Sequence, residues 1–131
     1  MNLMIMEIYE ALKVNPSITA LVDETQINMY ESEEDLDTSK PFILIVPLGP
    51  STNSYFGGDT PLSKQFTYQV NVEAIDLITT KEISHAIQKE LWEMGYGQLS
   101  GGLDEYFKET KRFVEAKRYR KNTKLNDVAY Y

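Results

Sequence analysis

The sequence predicts an α+β domain with a mostly antiparallel sheet of about four strands and two main helices packed on one side. Two observations predict this class. Apolar residues recur at helical spacing near residues 1–13 and 80–94. Strand-like segments follow one another between these helices and do not alternate with them. The chain has 131 residues, enough for one domain with a sound core. We therefore expect a single domain over residues 1–131, with residues 121–131 as a flexible C-terminal arm.

The N-terminal elements follow from helix signals. Residues 1–13 carry an apolar stripe made of Met1, Met4, Ile5, Ile8, Ala11 and Leu12. This segment has no basic start and contains two glutamates, which predicts an amphipathic helix and not a signal peptide. Asn15 as N-cap and Pro16 at the first helical position predict a short second helix that runs through Leu21. Residues 25–30 then predict a strand.

Two strands and a long loop are predicted in the middle of the chain. Residues 42–46 form an unbroken apolar run between prolines, typical of a central strand covered on both faces. Residues 49–63 are rich in turn formers, which predicts a long loop and not a tight hairpin. Residues 64–75 alternate apolar and polar side chains, so we expect a half-exposed antiparallel strand paired with the 42–48 strand.

A helix and a basic strand complete the predicted fold. Thr79 and Glu82 form a capping box before a helix that stops at Gly95. Residues 98–102 predict a flexible connection. Residues 111–120 predict a terminal strand with a strongly basic surface. Its two sides carry different side chains: Phe113 and Tyr119 on one, and Val114, Ala116 and Arg118 on the other.

Charge is sorted along the chain. Residues 1–40 carry nine acidic and two basic residues, whereas residues 111–124 carry seven basic residues and one acid, Glu115. A domain with one acidic and one basic face attracts copies of itself head-to-tail, and that contact closes into a ring or grows into a filament. The net charge of −7 argues against nucleic acid as the main ligand. No apolar run is long enough to span a membrane.

Residues that carry chemistry are scarce. The chain has no cysteine, which excludes thiol nucleophiles, disulfides and cysteine-zinc sites. The single histidine, His85, has no nucleophile elbow or metal-binding motif around it, so we expect it on the surface or at an interface. The acidic loop, residues 31–37, lacks the alternating ligands and the glycine of a calcium loop. We predict no enzymatic activity, no cofactor and no metal site.

Charged residues supply one set of interface candidates. Those on the basic strand are Lys117, Arg118 and Arg120, and Tyr119 between the two arginines is a further candidate. Arginine is favoured there because its guanidinium group binds carboxylates bidentately. Those on the acidic loop are Glu33, Glu34 and Asp35, which would face the basic strand of the next subunit. The plainer interpretations are an edge strand whose lysines prevent aggregation and a solvated loop.

Three aromatic residues supply the other candidates. Tyr55 and Phe56 lie on the predicted long loop, where they would either fold back onto the sheet or insert into an adjoining subunit. Trp92 follows His85 by one heptad, on the polar side of its helix. A tryptophan there either covers a neighbouring loop or contacts a partner, and tryptophan is enriched in interface hot spots.

The layout of these segments resembles a known family. The segments are the opening helix IYEALKVNPSITALV, an Ile27–Tyr30 strand, the strand KPFILIVPLG, the alternating strand FTYQVNVEAID, a helix ending LWEMGY, and the strand RFVEAKRYR. In this order they resemble the tail-completion, or tail-terminator, proteins of long-tailed bacteriophages, including the small tail-component family of Gram-positive phages and prophages. The acidic loop and the residues past Lys121 match no family pattern.

The resemblance implies a fold, a function and a set of partners. Such proteins have an α+β fold and form a ring, commonly hexameric, on the end of the tail tube. The ring stops tube polymerisation and presents a surface that joins the capsid connector. The implied partners are further copies of the chain, the tail tube protein and the head–tail connector protein. The implied location is the virion tail, and the host cytoplasm during assembly. The implied mechanism is steric and electrostatic, with no covalent bond made or broken.

Other functions remain open at this point. One is a different phage head–tail joining or minor tail protein. Another, from a different class, is a monomeric protein-binding module whose basic strand docks on an acidic partner. A third is a small hydrolase that uses His85.

Overall fold

The computed structural model describes residues 2–57, 60–124 and 130–131, and the side chains at 55, 56 and 60–62 lie outside that description. Its helices are α1 (Met4–Val14), α2 (Pro16–Thr19) and α3 (Leu77–Glu93), with a 3₁₀ turn at Glu24–Gln26. Its strands are β1 (Ile27–Met29), β2 (Phe42–Pro47), β3 (Thr52–Gly57), β4 (Thr60–Ala74), β5 (Gly97–Phe107) and β6 (Arg112–Asn122).

The described strands form one mixed sheet in the order β1-β2-β4-β6-β5, with β3 paired to the first part of β4. Strands β1 and β2 are parallel, and the other pairs are antiparallel. The predicted α+β class is confirmed. The expected number of strands was too low, because six are present in the described part of the chain.

The core lies between one face of the sheet and the two longer helices. Ile43 and Ile45 of β2 pair with Val72 and Val70 of β4, and all four side chains are buried. The predicted pairing of these two strands is therefore confirmed. The buried helix residues that complete this core are Met4, Ile5, Ile8 and Leu12 of α1 and Ile83, Ile87 and Leu91 of α3. They belong to the stripes that helical periodicity predicts.

Helix ends follow the capping rules, with one correction. Asn15 accepts a 2.9 Å hydrogen bond from the Ser17 amide, which confirms it as the N-cap of α2. The N-cap of α3 is Asp76, whose carboxylate accepts a 2.8 Å bond from the Thr79 amide. The predicted capping box at Thr79 is therefore wrong, because the helix already begins at Leu77. Gly95, at a φ of +93°, ends the helix as predicted.

The long loop predicted over residues 49–63 is largely a β-hairpin. Strand β3 pairs with the first part of β4, and Ser54 lies opposite Ser63 with their hydroxyl oxygens 2.8 Å apart. Polar residues on both strands give no apolar alternation, so the pattern indicates turns although the backbone is extended. Gln65 pairs with β3 on one side and with Asn122 of β6 on the other.

The connection predicted over residues 98–102 lies inside β5. Gly101 and Gly102 adopt φ values of +91° and +105° at the register shift between Leu99 and Leu103. A Cβ atom on Gly102 would lie 2.1 Å from the carbonyl oxygen of Ala116. The glycine pair therefore forms a bulge that lets β5 approach β6 closely. Because β5 occupies the edge, the basic strand β6 is an interior strand and not the edge strand that we expected.

The two described chain ends contact each other. The Tyr131 amide donates to the Asn2 carbonyl at 2.7 Å, and the Met4 amide donates to the Tyr131 carbonyl at 2.8 Å. The second bond satisfies an N–H group of α1, which has no side-chain cap. The predicted flexible arm over residues 121–131 includes residues 125–129, which lie outside the described residues. None of the described helices has the length and apolar character needed to cross a membrane.

Candidate subunit interface

Strand β6 presents its basic residues on two faces. Arg118 and Arg120 lie on the face away from the helices, where Arg118 Nε donates to Gln69 Oε1 at 3.1 Å and Arg120 Nε to Thr67 Oγ1 at 3.5 Å. Lys117 lies on the helix side and donates to Gln88 of α3 at 2.8 Å. The predicted alternation of this strand is confirmed, and it leaves Arg118 and Arg120 as the outward-facing bases among the candidates.

Tyr119 does not contribute to this outer surface. Its side chain is 1% exposed and belongs to the core beneath α3. Burial raises the pKa of its phenol. The alternation predicts that Tyr119 and Arg118 face opposite ways, but helix packing decides which side is covered. Tyr119 therefore offers no exposed side-chain surface to a neighbouring subunit.

The one acid of the basic strand is neutralised inside the chain. Glu115 is almost fully buried and accepts a 2.7 Å bond from Ser84 Oγ, together with contacts from Lys81 and, at 3.2 Å, Lys117. Burial on its own would raise the pKa of Glu115, but the hydrogen bonds from Lys81, Ser84 and Lys117 outweigh it and hold that pKa below its usual value. These bonds attach α3 to β6.

Replacing Glu115 is expected to weaken the fold at neutral pH. The pKa of Glu115 is lower in the folded chain than in the unfolded chain, so the ionised carboxylate contributes its full stabilisation of the fold above the unfolded pKa. That contribution is lost as the pH falls through the folded pKa. We expect Glu115→Gln to lower the free energy of unfolding by about 2 kcal/mol at pH 7, the scale of hydrogen bonds to a charged group. Urea unfolding at several pH values measures this. A difference between wild type and variant that does not shrink below about pH 4.5 would contradict it.

The acidic loop is exposed and is anchored at its end. Buried Gln26 donates to the Asp37 carbonyl at 2.8 Å and accepts from the Asp37 amide at 3.1 Å. Its remaining acids, among them the candidates Glu33, Glu34 and Asp35, all face solvent. Over residues 2–57, 60–124 and 130–131, no ion pair links these three carboxylates to a base, or Arg118 and Arg120 to an acid. Within that part of the chain, neither set forms an ion pair.

The segment that follows the acidic loop contacts the end of β6 that lies opposite to Arg120. Arg112, the first residue of β6, donates to the Lys40 carbonyl at 3.2 Å. Arg120 is eight residues further along, about 26 Å at the usual rise of a strand. Arg112 itself is buried, and its Nε lies 3.6 Å from a carboxylate oxygen of Glu73, so it forms an ion pair within the chain.

Of the three aromatic candidates, only Trp92 has a side chain among the described ones. Trp92 is 72% exposed, so it does not cover a loop. It borders a groove of about 350 Å³ together with His85, Gln88 and Tyr96. Tyr55 and Phe56 have their backbone in β3, but their side chains lie outside the described ones.

The groove beside His85 has no catalytic arrangement in the described part of the chain. A general base needs a partner that orients it and a nucleophile within reach. No hydrogen bond among the described residues joins His85 to a hydroxyl or carboxylate group. Groups of three or more histidines, aspartates and glutamates that could hold a metal ion are also absent from the described residues.

Sequence reasoning missed one exposed apolar segment. Ile75, Leu77 and Ile78 flank the N-cap Asp76 at the junction of β4 and α3, and all three are exposed. In the sequence they resemble core residues at the end of an alternating strand. The sequence signal for their exposure was Asp76, a typical N-cap residue. Where the chain leaves a strand at an exposed aspartate, the residues on either side of it also lie at the surface.

Comparison with known proteins identifies the fold and not a family. No family model matches the sequence, and no curated protein matches it. A chain in the solved structure "Virion of native gene transfer agent (GTA) particle" superposes with a TM-score of 0.64, over 88% of this chain and 90% of that chain, at 14% sequence identity. Identity this low shows that the two chains share a fold.

Proposed function

We propose that this chain is a structural virion protein that forms a ring on the end of a phage tail tube. The ring ends tube polymerisation and provides the surface that joins the capsid connector. The observation that carries the proposal is the shared fold with a chain of a gene transfer agent virion, which extends over 88% of this chain. The family resemblance of the sequence layout supports the same conclusion independently.

The charged surfaces supply a contact between copies. Arg118 and Arg120 face outward from the sheet, where each makes one hydrogen bond through Nε and none of the described acids forms an ion pair with it. Their guanidinium groups could bind carboxylates of a neighbour. The carboxylates of Glu33, Glu34 and Asp35 face solvent on an anchored loop. When one copy offers both surfaces, each copy binds the next through a heterologous contact, and a suitable rotation closes the series into a ring.

The proposed mechanism is steric and electrostatic. A closed ring on the end of the tube covers the surface to which the next tube subunit would bind. Its opposite face then remains for the connector. Nothing in this mechanism needs a catalytic group.

Another head–tail joining or minor tail protein is the second candidate. The same likeness favours it, because the solved structure that contains the neighbour is a whole virion particle. The two candidates differ in where the chain binds. A terminator occupies the free end of a tail tube before the head is attached, whereas a head–tail joining protein binds the connector on tail-free heads.

Tube growth in the presence of the purified chain tests the proposal. Tail tube protein of the same phage is polymerised with and without the chain, and tube lengths and ends are examined by electron microscopy. We expect shorter tubes that carry a ring at one end. Unchanged tube lengths, with the chain bound to tail-free heads, would overturn the terminator function and favour the second candidate.

A further inference from the structure

Three arginines of strand β6 lie on the outer face of the sheet, away from the helices. Arg112, Arg118 and Arg120 are even numbers of positions apart, and β6 pairs with β4 without a register shift. Side chains at even spacing along a strand lie on one face of the sheet. The residues of β4 on this face therefore decide how each of the three charges is used.

Arg112 is neutralised by an acid on β4. Its Nε lies 3.6 Å from a carboxylate oxygen of Glu73, and its side chain is buried. Its guanidinium group also lies over the ring of Phe42 and donates to the carbonyl of Lys40. Arg112 therefore has the surroundings of a structural ion pair.

Arg118 and Arg120 have neutral partners on the same face. Their register partners on β4 are Gln69 and Thr67, which accept hydrogen bonds from the two Nε groups at 3.1 and 3.5 Å. An acid in place of Gln69 would neutralise Arg118 within the chain, as happens at Arg112. The amide accepts the same kind of hydrogen bond without a negative charge, so the positive charge of Arg118 is kept for a group outside the chain.

The side chain of Arg118 is also held from two sides. Gln69 donates from Nε2 to Asn71 Oδ1 at 2.9 Å, which directs its amide oxygen toward the arginine. On the other side, a Cβ atom on Gly101 would lie 3.0 Å from Nη1 and 3.7 Å from Cδ of Arg118. The arginine therefore lies against the bulge of β5, in space that a side chain at position 101 would fill. Both contacts reduce the rotamer freedom that a surface arginine otherwise has.

These contacts leave one edge of the guanidinium group open. The Nε–H of Arg118 is bound to Gln69, and no hydrogen bond among the described residues uses the two Nη groups. Two neighbouring Nη–H groups match the two oxygens of a carboxylate, which accepts them as a bidentate pair. The open edge of Arg118 is therefore shaped for a carboxylate.

We propose that Gln69 is a positioning residue for the contact between copies, where it holds the Arg118 guanidinium group so that its Nη edge receives a carboxylate of the neighbouring copy. This inference rests on the proposed function, in which the acidic loop of the neighbour supplies that carboxylate. With 20 acids against 13 bases, a second copy is a rich source of such groups. Because the guanidinium group is ordered before the neighbour arrives, less side-chain entropy is lost on binding.

Substitutions at Gln69 separate its positioning effect from charge. Gln69→Leu removes the hydrogen-bond acceptor and keeps the charge of Arg118, and we expect it to weaken self-association about fivefold. Gln69→Glu places a carboxylate beside Arg118, and we expect a loss of about tenfold or more. Sedimentation over a concentration series measures both. The matched controls are Gln98→Leu and Gln98→Glu, because Gln98 is exposed and lies opposite Tyr119, on the helix side of the sheet.

The effect of Gln69→Leu must pass through Arg118. In an Arg118→Gln background it should therefore cause no further loss of association, whereas two independent effects would add. The urea midpoints of the Gln69 variants should match those of the Gln98 controls. A purely structural role of Gln69 would instead lower the midpoint and leave the effect unchanged in the Arg118→Gln background.

The outcomes separate this inference from the proposed function. Gln69 variants that associate like the Gln98 controls would overturn the positioning role, even where the wild-type chain forms rings that cap tail tubes. Weaker association of the Gln69 variants, together with tube growth that the wild-type chain leaves unchanged, would overturn the terminator function and keep the positioning role. A wild-type chain that stays monomeric would overturn both.

Discussion

Reversal of both Arg118 and Arg120 to glutamate is expected to weaken the association of copies by about ten- to a hundredfold. In the proposed contact each guanidinium faces carboxylates of the neighbour's acidic loop, so reversal replaces attraction by like-charge repulsion. The fold should be unaffected, because each side chain makes one hydrogen bond on the outer sheet face, to Gln69 or Thr67. Sedimentation over a concentration series measures the dissociation constant, and thermal unfolding checks stability.

Two controls make this result specific. Reversal of Lys13 and Lys108, two bases outside the set of interface candidates, should leave association unchanged apart from the altered net charge. Reversal of Glu33 and Glu34 to arginine in a second protein should restore association when it is mixed with the arginine-reversed variant. Added salt should weaken the wild-type contact and affect the reversed variant much less. Unchanged association of the reversed variant would contradict the proposed electrostatic contact.

Replacement of Gly102 by alanine is expected to destabilise the fold by about 3 kcal/mol. Its φ of +105° is strained for any residue with a side chain, and the new Cβ would lie 2.1 Å from the Ala116 carbonyl oxygen. That oxygen is backbone in the middle of the sheet, so relief of the clash must separate β5 from β6. Chemical denaturation measures the loss in the free energy of unfolding.

Gly97 in the same strand is the matched control. A Cβ atom there meets nothing within 4 Å, and its backbone is not in the left-handed region. Gly97→Ala should therefore change stability by less than about 0.5 kcal/mol. Equal effects of the two substitutions would contradict the bulge geometry, because only Gly102 faces the neighbouring strand closely.

Periodicity predicted the elements that build the core and failed on the polar strands. Residues 65–74 of strand β4 alternate strictly, and their apolar side chains pack beneath α1 and α3 as expected. Most of the described side chains of strands β3 and β5 are exposed, so hydrogen bonds to β4 and β6, and not a hydrophobic pattern, hold these strands in place. A glycine pair indicates either a linker or a bulge, and only the position of the neighbouring strand decides between them.

Candidate interface residues were predictable in type and only partly in position. The alternation along β6 separates Arg118 from Tyr119, but the side that the helices cover depends on long-range packing, which buries Tyr119. The basic strand was expected at an edge, since β5 was not recognised. The exposed apolar segment at Ile75, Leu77 and Ile78 was missed for a related reason, because Ile75 continues an alternating pattern whose buried part ends at Ala74.

The central claim is that copies of this chain bind one another head-to-tail through complementary surfaces. Measurement of the mass of the purified protein by sedimentation, as a function of concentration and salt, tests it most directly. The account predicts that the 15.1 kDa chain converts with rising concentration into one closed species of several copies, and that added salt shifts this conversion to higher concentration. A mass of 15.1 kDa at every concentration would contradict the claim.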